Sequence, residues 1–153
     1  MRHVEVERIV EAPVEAVWDL YTDHLSWARW AGLGRVRLAR EGTPERNGVG
    51  CVREFSNLGF RVREEVLSFE RPRRMTYRVV SGGLPMRDHL GEVCFEPCER
   101  GTRVVWRCRF EPRVPFLGAL LEAFIARLFR RALASFARQD FSRAPQAEAK
   151  ASG

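Results

Sequence analysis

Residues 11–30, EAPVEAVWDLYTDHLSWARW, decide the fold of this chain. A predicted strand from His3 to Val10 leads into them and ends at Ala12-Pro13. Proline favours the first turn of a helix, where its missing N–H has no partner to lose. A short amphipathic helix should follow, because apolar side chains recur at helical spacing: Val14, Val17, Trp18 and Tyr21. Thr22-Asp23 breaks this helix, and a second short helix then carries Trp27 and Trp30.

The middle of the chain is typical of an antiparallel meander. Short turns with Gly or Pro separate its candidate strands, which are residues 35–41, 49–56, 60–70, 73–81, 87–97 and 102–112. From Val114 to Phe141 the apolar residues instead recur on one wide arc, which predicts a single long amphipathic helix. Residues 142–153 are small and polar, so we expect a disordered tail after one domain of residues 1–141.

This order of elements has one natural packing. A curved antiparallel sheet must bury its apolar face, and the C-terminal helix is the only element long enough to cover it. A Pro-initiated helix after the first strand, then Asp23 and the Trp27-x-x-Trp30 pair, resembles the START-like or SRPBCC superfamily of polyketide cyclase/dehydrase and lipid-transport proteins. The resemblance covers residues 3 to about 140. It implies an α+β helix-grip fold, with about six to seven strands wrapped around the long helix and an internal cavity for an apolar ligand.

The composition indicates a globular domain of the cytoplasm. No run of ~20 apolar residues is present, so no membrane span is expected. The first residues, MRHVEVERIVEAP, are charged and lack the apolar core of a signal peptide. The four cysteines, Cys51, Cys94, Cys98 and Cys108, form no metal-binding pattern, and we interpret them as reduced packing residues. We expect no metal and no cofactor.

The turns predict which side chains share one face of the sheet. Pairing Phe55 with Phe60 places Arg53 opposite Val62, and the later turns place Val66 opposite Tyr77 and Val93 opposite Trp106. This parity brings nearly every large apolar side chain of five strands to one side. It brings four polar side chains to the same side: Arg53, Glu64, Arg87 and His89.

Polar residues on an apolar concave face predict a cavity that holds water or ligand, because burying an unpaired charge costs several kcal/mol. Two alternatives remain open: these residues reach solvent at the ends of the sheet, or a bulge at Glu64-Glu65 turns the glutamate outward. A ligand cavity usually measures ~300–1,000 Å³, and we expect one of that size. His89 and Glu64 are the candidate catalytic residues. The candidate ligand-binding residues are Arg53, Val66, Tyr77, Val79, Arg87, Val93, Trp106, Leu121, Phe124, Ile125, Leu128, Trp27 and Trp30.

Three functions fit these features. The first is binding, or transport, of a hydrophobic small molecule such as a lipid, a polyprenyl compound or an aromatic polyketide, by a monomer or homodimer. The second is an enzyme of the cyclase or dehydratase kind, in which His89 acts as acid and base. The third is a protein-interaction or chaperone-partner module, a role that one branch of the superfamily implies.

The net charge of +6 also raises the question of nucleic-acid binding. The predicted outer face of the sheet is rich in arginine: Arg61, Arg63, Arg74, Arg78, Arg103, Arg107 and Arg109. Glutamates fall opposite several of these residues, and the aromatic residues point to the other face. We therefore predict a solvated surface and no nucleic-acid partner.

Overall fold

The computed structural model describes residues 1–142, so the predicted tail lies outside the described residues apart from Ser142. Its strands are β1 (Arg2–Val10), β2 (Arg35–Arg40), β3 (Val52–Asn57), β4 (Phe60–Glu70), β5 (Arg74–Gly82), β6 (Met86–Cys98) and β7 (Gly101–Pro112). Its helices are α1 (Val14–Thr22), α2 (Trp27–Trp30) and α3 (Gly118–Ala137), with 3₁₀ turns at His24–Ser26 and Pro115–Leu117. Within these residues, no helix combines the length and the apolar character needed to cross a bilayer.

The strands form one antiparallel sheet of seven, in the order β1-β7-β6-β5-β4-β3-β2. The chain starts at one edge, crosses to the other through α1 and α2, and returns as a meander. Helix α3 crosses β1 and β7 and touches α2. Its buried residues recur at helical spacing and face the core: Leu121, Ile125, Phe129, Ala132, Leu133 and Phe136. The predicted helix-grip fold is confirmed.

The β4-to-β7 registers agree with the sequence prediction. Val66 lies opposite Tyr77, and Val93 lies opposite both Met75 and Trp106. The β3–β4 register was wrong by two residues, because Arg53 lies opposite Glu64 and not Val62.

The tight β3–β4 turn explains this shift. Leu58 and Gly59 both have positive φ, 48° and 88°, as in a two-residue type I′ hairpin, so the strands pair as far as Asn57 and Phe60. The shift is even and therefore leaves each residue on its predicted face.

A bulge in β6 overturns the prediction for Arg87. Arg87 pairs with Glu111 and Leu90 with Arg109, so β6 has one residue more than β7 between these pairs. Asp88 has a φ of 53°, outside the range of a regular strand. Arg87 is therefore exposed, while Met86 lines a cavity between the sheet and α3.

Ion pairs cover the outer face of the sheet. Glu54 accepts hydrogen bonds from Arg37 and Arg63, which lower its pKa to about 2. Arg103 pairs with Glu7 and Glu96 in the same way. The Glu54 side chain is only 6% exposed, but its arginine partners and the Arg103 pairs are solvated, so screening by solvent keeps their contribution to stability small. Their consequence is that neighbouring glutamates balance much of the positive charge on this face.

Candidate functional site

An internal cavity of about 90 Å³ lies between the concave face of the sheet and α3. Its lining residues are mostly apolar: Trp27, Ala31, Leu33, Phe55, Phe60, Val62, Glu64, Tyr77, Val79, Gly83, Leu84, Met86, His89, Trp106, Cys108, Ile125, Leu128, Phe129 and Ala132. Phe60 lines the cavity and is 40% exposed, so the cavity approaches the surface there. Glu64, Tyr77 and His89 bring a carboxylate, a phenol and an imidazole to the apolar wall.

The cavity is smaller than the predicted ~300–1,000 Å³ because aromatic rings fill much of the space beneath α3. The rings of Trp106 and Phe129 stack with centroids 3.9 Å apart and planes 7° apart. Trp27 packs against Trp30 at 4.6 Å and against Trp106 at 5.5 Å. A ligand larger than a few water molecules therefore requires these rings or α3 to move.

Eight of the predicted site residues line this cavity: Glu64, Tyr77, Val79, His89, Trp106, Ile125, Leu128 and Trp27. Four others are buried in the core without lining it: Val66, Val93, Leu121 and Trp30. Arg53 is buried next to Glu64, outside the cavity lining. The structure therefore brings together the polar residues that the sequence singled out, with the exception of Arg87.

The placement of Phe124 in the cavity was wrong, since this side chain is 50% exposed. Successive helix residues are ~100° apart, so the buried residues Ile125, Phe129 and Leu133 share one face of α3 and Phe124 points away from that face. Phe116 and Leu120 precede it on α3 and its 3₁₀ turn and are also exposed.

Arg53 is the central charged residue beside the cavity. It is fully buried, and its Nε donates a hydrogen bond of 3.0 Å to Glu64 Oε1. Nη2 lies 2.8 Å from the same oxygen but makes no well-directed hydrogen bond, so that contact is chiefly a charge attraction. The guanidinium carbon lies 4.2 Å from the Trp27 ring centroid and 4.7 Å from that of Tyr77. These rings and Glu64 compensate the buried positive charge.

His24 completes this network and was missed by the sequence analysis. Its Nδ1 lies 3.2 Å from Arg53 Nη1, and its Nε2 lies 2.9 Å from the Asn47 carbonyl oxygen. Since a guanidinium can only donate, Nδ1 accepts and Nε2 carries the proton. Burial, and secondly the charge of Arg53, hold the pKa of His24 well below its usual value. The sequence carries no sign of this role, because the loop that contains Asn47 is brought over His24 only by folding.

His89 lines the cavity as a neutral imidazole. The backbone N–H of Val79 donates to His89 Nδ1 at 3.2 Å, so the neutral imidazole carries its proton on Nε2. Burial lowers the pKa of His89, while the charge of Glu64 opposes that shift. At neutral pH the ring is therefore uncharged and offers Nε2–H as a donor.

Tyr77 is held in position by two neighbours. Trp106 Nε1 donates to its hydroxyl oxygen at 2.7 Å. Gly91 lies opposite it on β6, where a Cβ atom would come within 2.2 Å of the Tyr77 Cζ. Glycine inside a strand indicates a close approach of this kind. Burial raises the pKa of Tyr77 well above its usual value, so its hydroxyl keeps a proton that it can donate.

Two further observations limit the chemistry of the site. Among the described residues, no group of three or more His, Cys, Asp and Glu side chains is placed to hold a metal ion. The four cysteines are free, and burial raises the pKa of Cys108 in the cavity wall to about 12. Glu64 and His89 therefore provide the carboxylate and the imidazole that this cavity offers for acid–base chemistry.

The fold and the site define a helix-grip domain with an apolar internal cavity and a small polar cluster. The sequence model of a family described as polyketide cyclase / dehydrase and lipid transport matches residues 1–139. The chain belongs to this family, which confirms its resemblance to the START-like or SRPBCC superfamily. No curated protein matches the chain in sequence.

Solved structures show the same fold. A solution NMR structure from Thermobifida fusca is 22% identical, with a TM-score of 0.77 and coverage of 90% of this chain and 91% of that one. The protein XoxI from Bacillus cereus is 17% identical, with a TM-score of 0.74 and coverage of 90% and 94%. The ZhuI aromatase/cyclase from Streptomyces sp. R1128 is 20% identical, with a TM-score of 0.73 and coverage of 89% and 91%.

Proposed function

We propose that this protein binds a hydrophobic small molecule in the cavity between the sheet and α3. The observation that carries the proposal is an apolar pocket whose wall includes Glu64, Tyr77 and His89. Small-molecule sites typically combine an apolar lining with a few placed polar groups. The family, which includes lipid-transport proteins, supports the same conclusion. Aromatic polyketides, polyprenyl compounds and lipids all have an apolar body that suits this lining.

The proposal requires the cavity to open when ligand enters. Phe60 and Leu84 line it and are not fully buried, so the space between the β3–β4 turn, the β5–β6 loop and α3 is the expected entrance. An apolar body would enter beside Ile125 and Leu128, with its polar end towards the cluster.

Replacing Leu128 with tryptophan should block the cavity. Leu128 is part of the lining, and the larger indole would occupy space that the ligand needs. We expect affinity for a fluorescent apolar probe to fall at least ~10-fold, as measured by titration, which corresponds to about 1.4 kcal/mol. Leu120→Trp is the matched control, because Leu120 is 67% exposed on the same helix. Wild-type affinity in Leu128→Trp, with the fold intact by circular dichroism, would refute binding in this cavity.

A second candidate function is a cyclase or dehydratase in which His89 transfers protons. The observation that favours it is the neutral imidazole of His89, whose Nδ1 accepts from Val79 N–H and which lines the same cavity as the carboxylate of Glu64. A positioned acid–base group of this kind requires a pKa near the working pH. The lowered pKa of His89 leaves a basic form available at neutral pH.

The variant His89→Ala separates a binder from a catalyst. For an enzyme, we expect turnover of an aromatic polyketide substrate to fall by ~10²–10⁴ while affinity largely survives. For a binding protein, affinity for a polar-headed ligand should fall and no turnover should be present in the wild type. Product analysis by mass spectrometry and a parallel binding titration distinguish these results. His3→Ala, at an exposed histidine, controls for the loss of an imidazole as such.

A further inference from the structure

The polar cluster offers a ligand two donors, the Tyr77 hydroxyl and one nitrogen of His89, and one acceptor, the carboxylate of Glu64. His89 Nδ1 is occupied by the backbone N–H of Val79, so the ring can offer Nε2–H. Glu64 lines the cavity, and its Oε1 accepts from Arg53. Among the described residues, no hydrogen bond to Glu64 Oε2 is found, which leaves that oxygen available as an acceptor.

Arg53 does not provide a positive charge that a ligand can touch. It is fully buried and is absent from the cavity lining. Its Nε and Nη2 face Glu64, and Nη1 lies against His24. The aromatic faces of Trp27 and Tyr77 lie against the guanidinium. The charged group that lines the cavity is therefore the carboxylate of Glu64. Its partner, the guanidinium of Arg53, is shielded from the ligand.

We propose that the ligand presents a neutral hydroxyl group, phenolic or alcoholic, to Glu64 and His89, and that the cavity rejects carboxylates. This inference rests on the proposed function. The hydroxyl would donate to the carboxylate of Glu64, and its oxygen has two lone pairs with which to accept from His89 Nε2–H and from the Tyr77 hydroxyl. A carboxylate would place a second negative charge beside Glu64 in apolar surroundings, and such repulsion is poorly screened there. Free fatty acids and aromatic acids are thereby excluded as ligands.

Three small probes that share one apolar body test the selectivity in the wild-type protein: para-ethylphenol, para-ethylbenzoate and ethylbenzene. At about pH 7.5 the phenol is neutral and the benzoate is charged. We expect para-ethylphenol to bind ~10- to 100-fold more tightly than para-ethylbenzoate by calorimetric titration, the range of one hydrogen bond to a charged group. Leu128→Trp should abolish binding of the phenol, which places it in the cavity.

The variant Glu64→Gln should remove much of this preference. An amide accepts a hydrogen bond more weakly than a carboxylate and does not repel an anion. The affinity for para-ethylphenol should therefore fall, and the affinity for para-ethylbenzoate should rise. Glu65→Gln is the matched control: it is the next residue of β4, pairs with Arg40 and Arg78, and does not line the cavity. If Glu64→Gln fails to fold, the ratio of the wild-type affinities for para-ethylphenol and para-ethylbenzoate still tests the hydroxyl preference.

The outcomes separate this inference from the function on which it rests. Benzoate binding as tightly as phenol, or more tightly, with ethylbenzene also bound, overturns the hydroxyl preference and leaves the hydrophobic cavity standing. Binding of none of the three probes overturns both. An unchanged phenol-to-benzoate ratio in folded Glu64→Gln also overturns the inference, because the selectivity would then come from another group.

Discussion

Replacing Arg53 with methionine is expected to lower the free energy of unfolding by about 3–5 kcal/mol. Methionine keeps the aliphatic length of the side chain but leaves Glu64 without its cation, and only 15% of the Glu64 side chain is exposed. It also removes the Nη1 contact to His24 and the contacts with Trp27 and Tyr77. Urea denaturation, followed by tryptophan fluorescence, measures the change.

The double variant Arg53→Met/Glu64→Leu tests the reason for that loss. When both charges are replaced by apolar groups, no unpaired charge remains, so most of the lost stability should return. Arg61→Met is the matched control on the outer face, where the arginine side chain is 69% exposed and 4.0 Å from Glu54, and it should change stability by less than ~1 kcal/mol. A loss below ~1 kcal/mol for Arg53→Met would show that the buried pair does not hold this part of the fold.

The second expected result is a loss of stability in mild acid. His24 and His89 have pKa values below the usual value, chiefly because they are buried. The unfolded chain therefore takes up protons on these residues at a higher pH than the folded protein does. The contribution of the two neutral histidines to the free energy of unfolding is fully present above about pH 6.5. It decreases as the pH falls below that value, by up to about 1.4 kcal/mol per pH unit for each histidine. Protonation would also place an Nδ1–H against Arg53 in His24, and against the N–H of Val79 in His89.

Urea denaturation between about pH 7.5 and pH 5 isolates this effect, because most carboxylates titrate below that range. His24→Gln should flatten the pH dependence even if it lowers stability overall. The matched control is His3→Gln, at an exposed histidine, which should leave the slope as it is. A wild-type free energy of unfolding that stays constant over this range would contradict the neutral state of both buried rings.

The fold was largely predictable because its signals are local. Alternation of apolar residues along β4 to β7, the Gly- and Pro-bearing turns, and the change of period at α3 each act over a few residues. The registers of Val66 with Tyr77 and of Val93 with Trp106 followed from these turns. The predicted β3–β4 register was wrong because Leu58 adopts a positive φ, which is uncommon for leucine and is therefore not expected from the sequence.

The candidate site was predictable in part. Parity alone placed Glu64 and His89 on the concave face, and both line the cavity. The bulge at Asp88 moved Arg87 away from it, and bulges depend on how the whole strand pairs. A pairing irregularity also occurs at Arg63–Glu64, yet Glu64 still lines the cavity, since its charge has a partner there in Arg53.

The sequence by itself determined the order of elements and, apart from Arg87, the inward face of the central strands, because these depend on periodicity and on turn chemistry within short segments. The resemblance of residues 11–30 to a known superfamily indicated the family. Only the tertiary structure decided the volume of the cavity, the burial of His24 and the shielding of Arg53. These three features depend on how side chains from distant segments fill the same space, as when Phe129 of α3 stacks on Trp106 of β7. Packing of this kind is a property of the assembled core, and no local pattern encodes it.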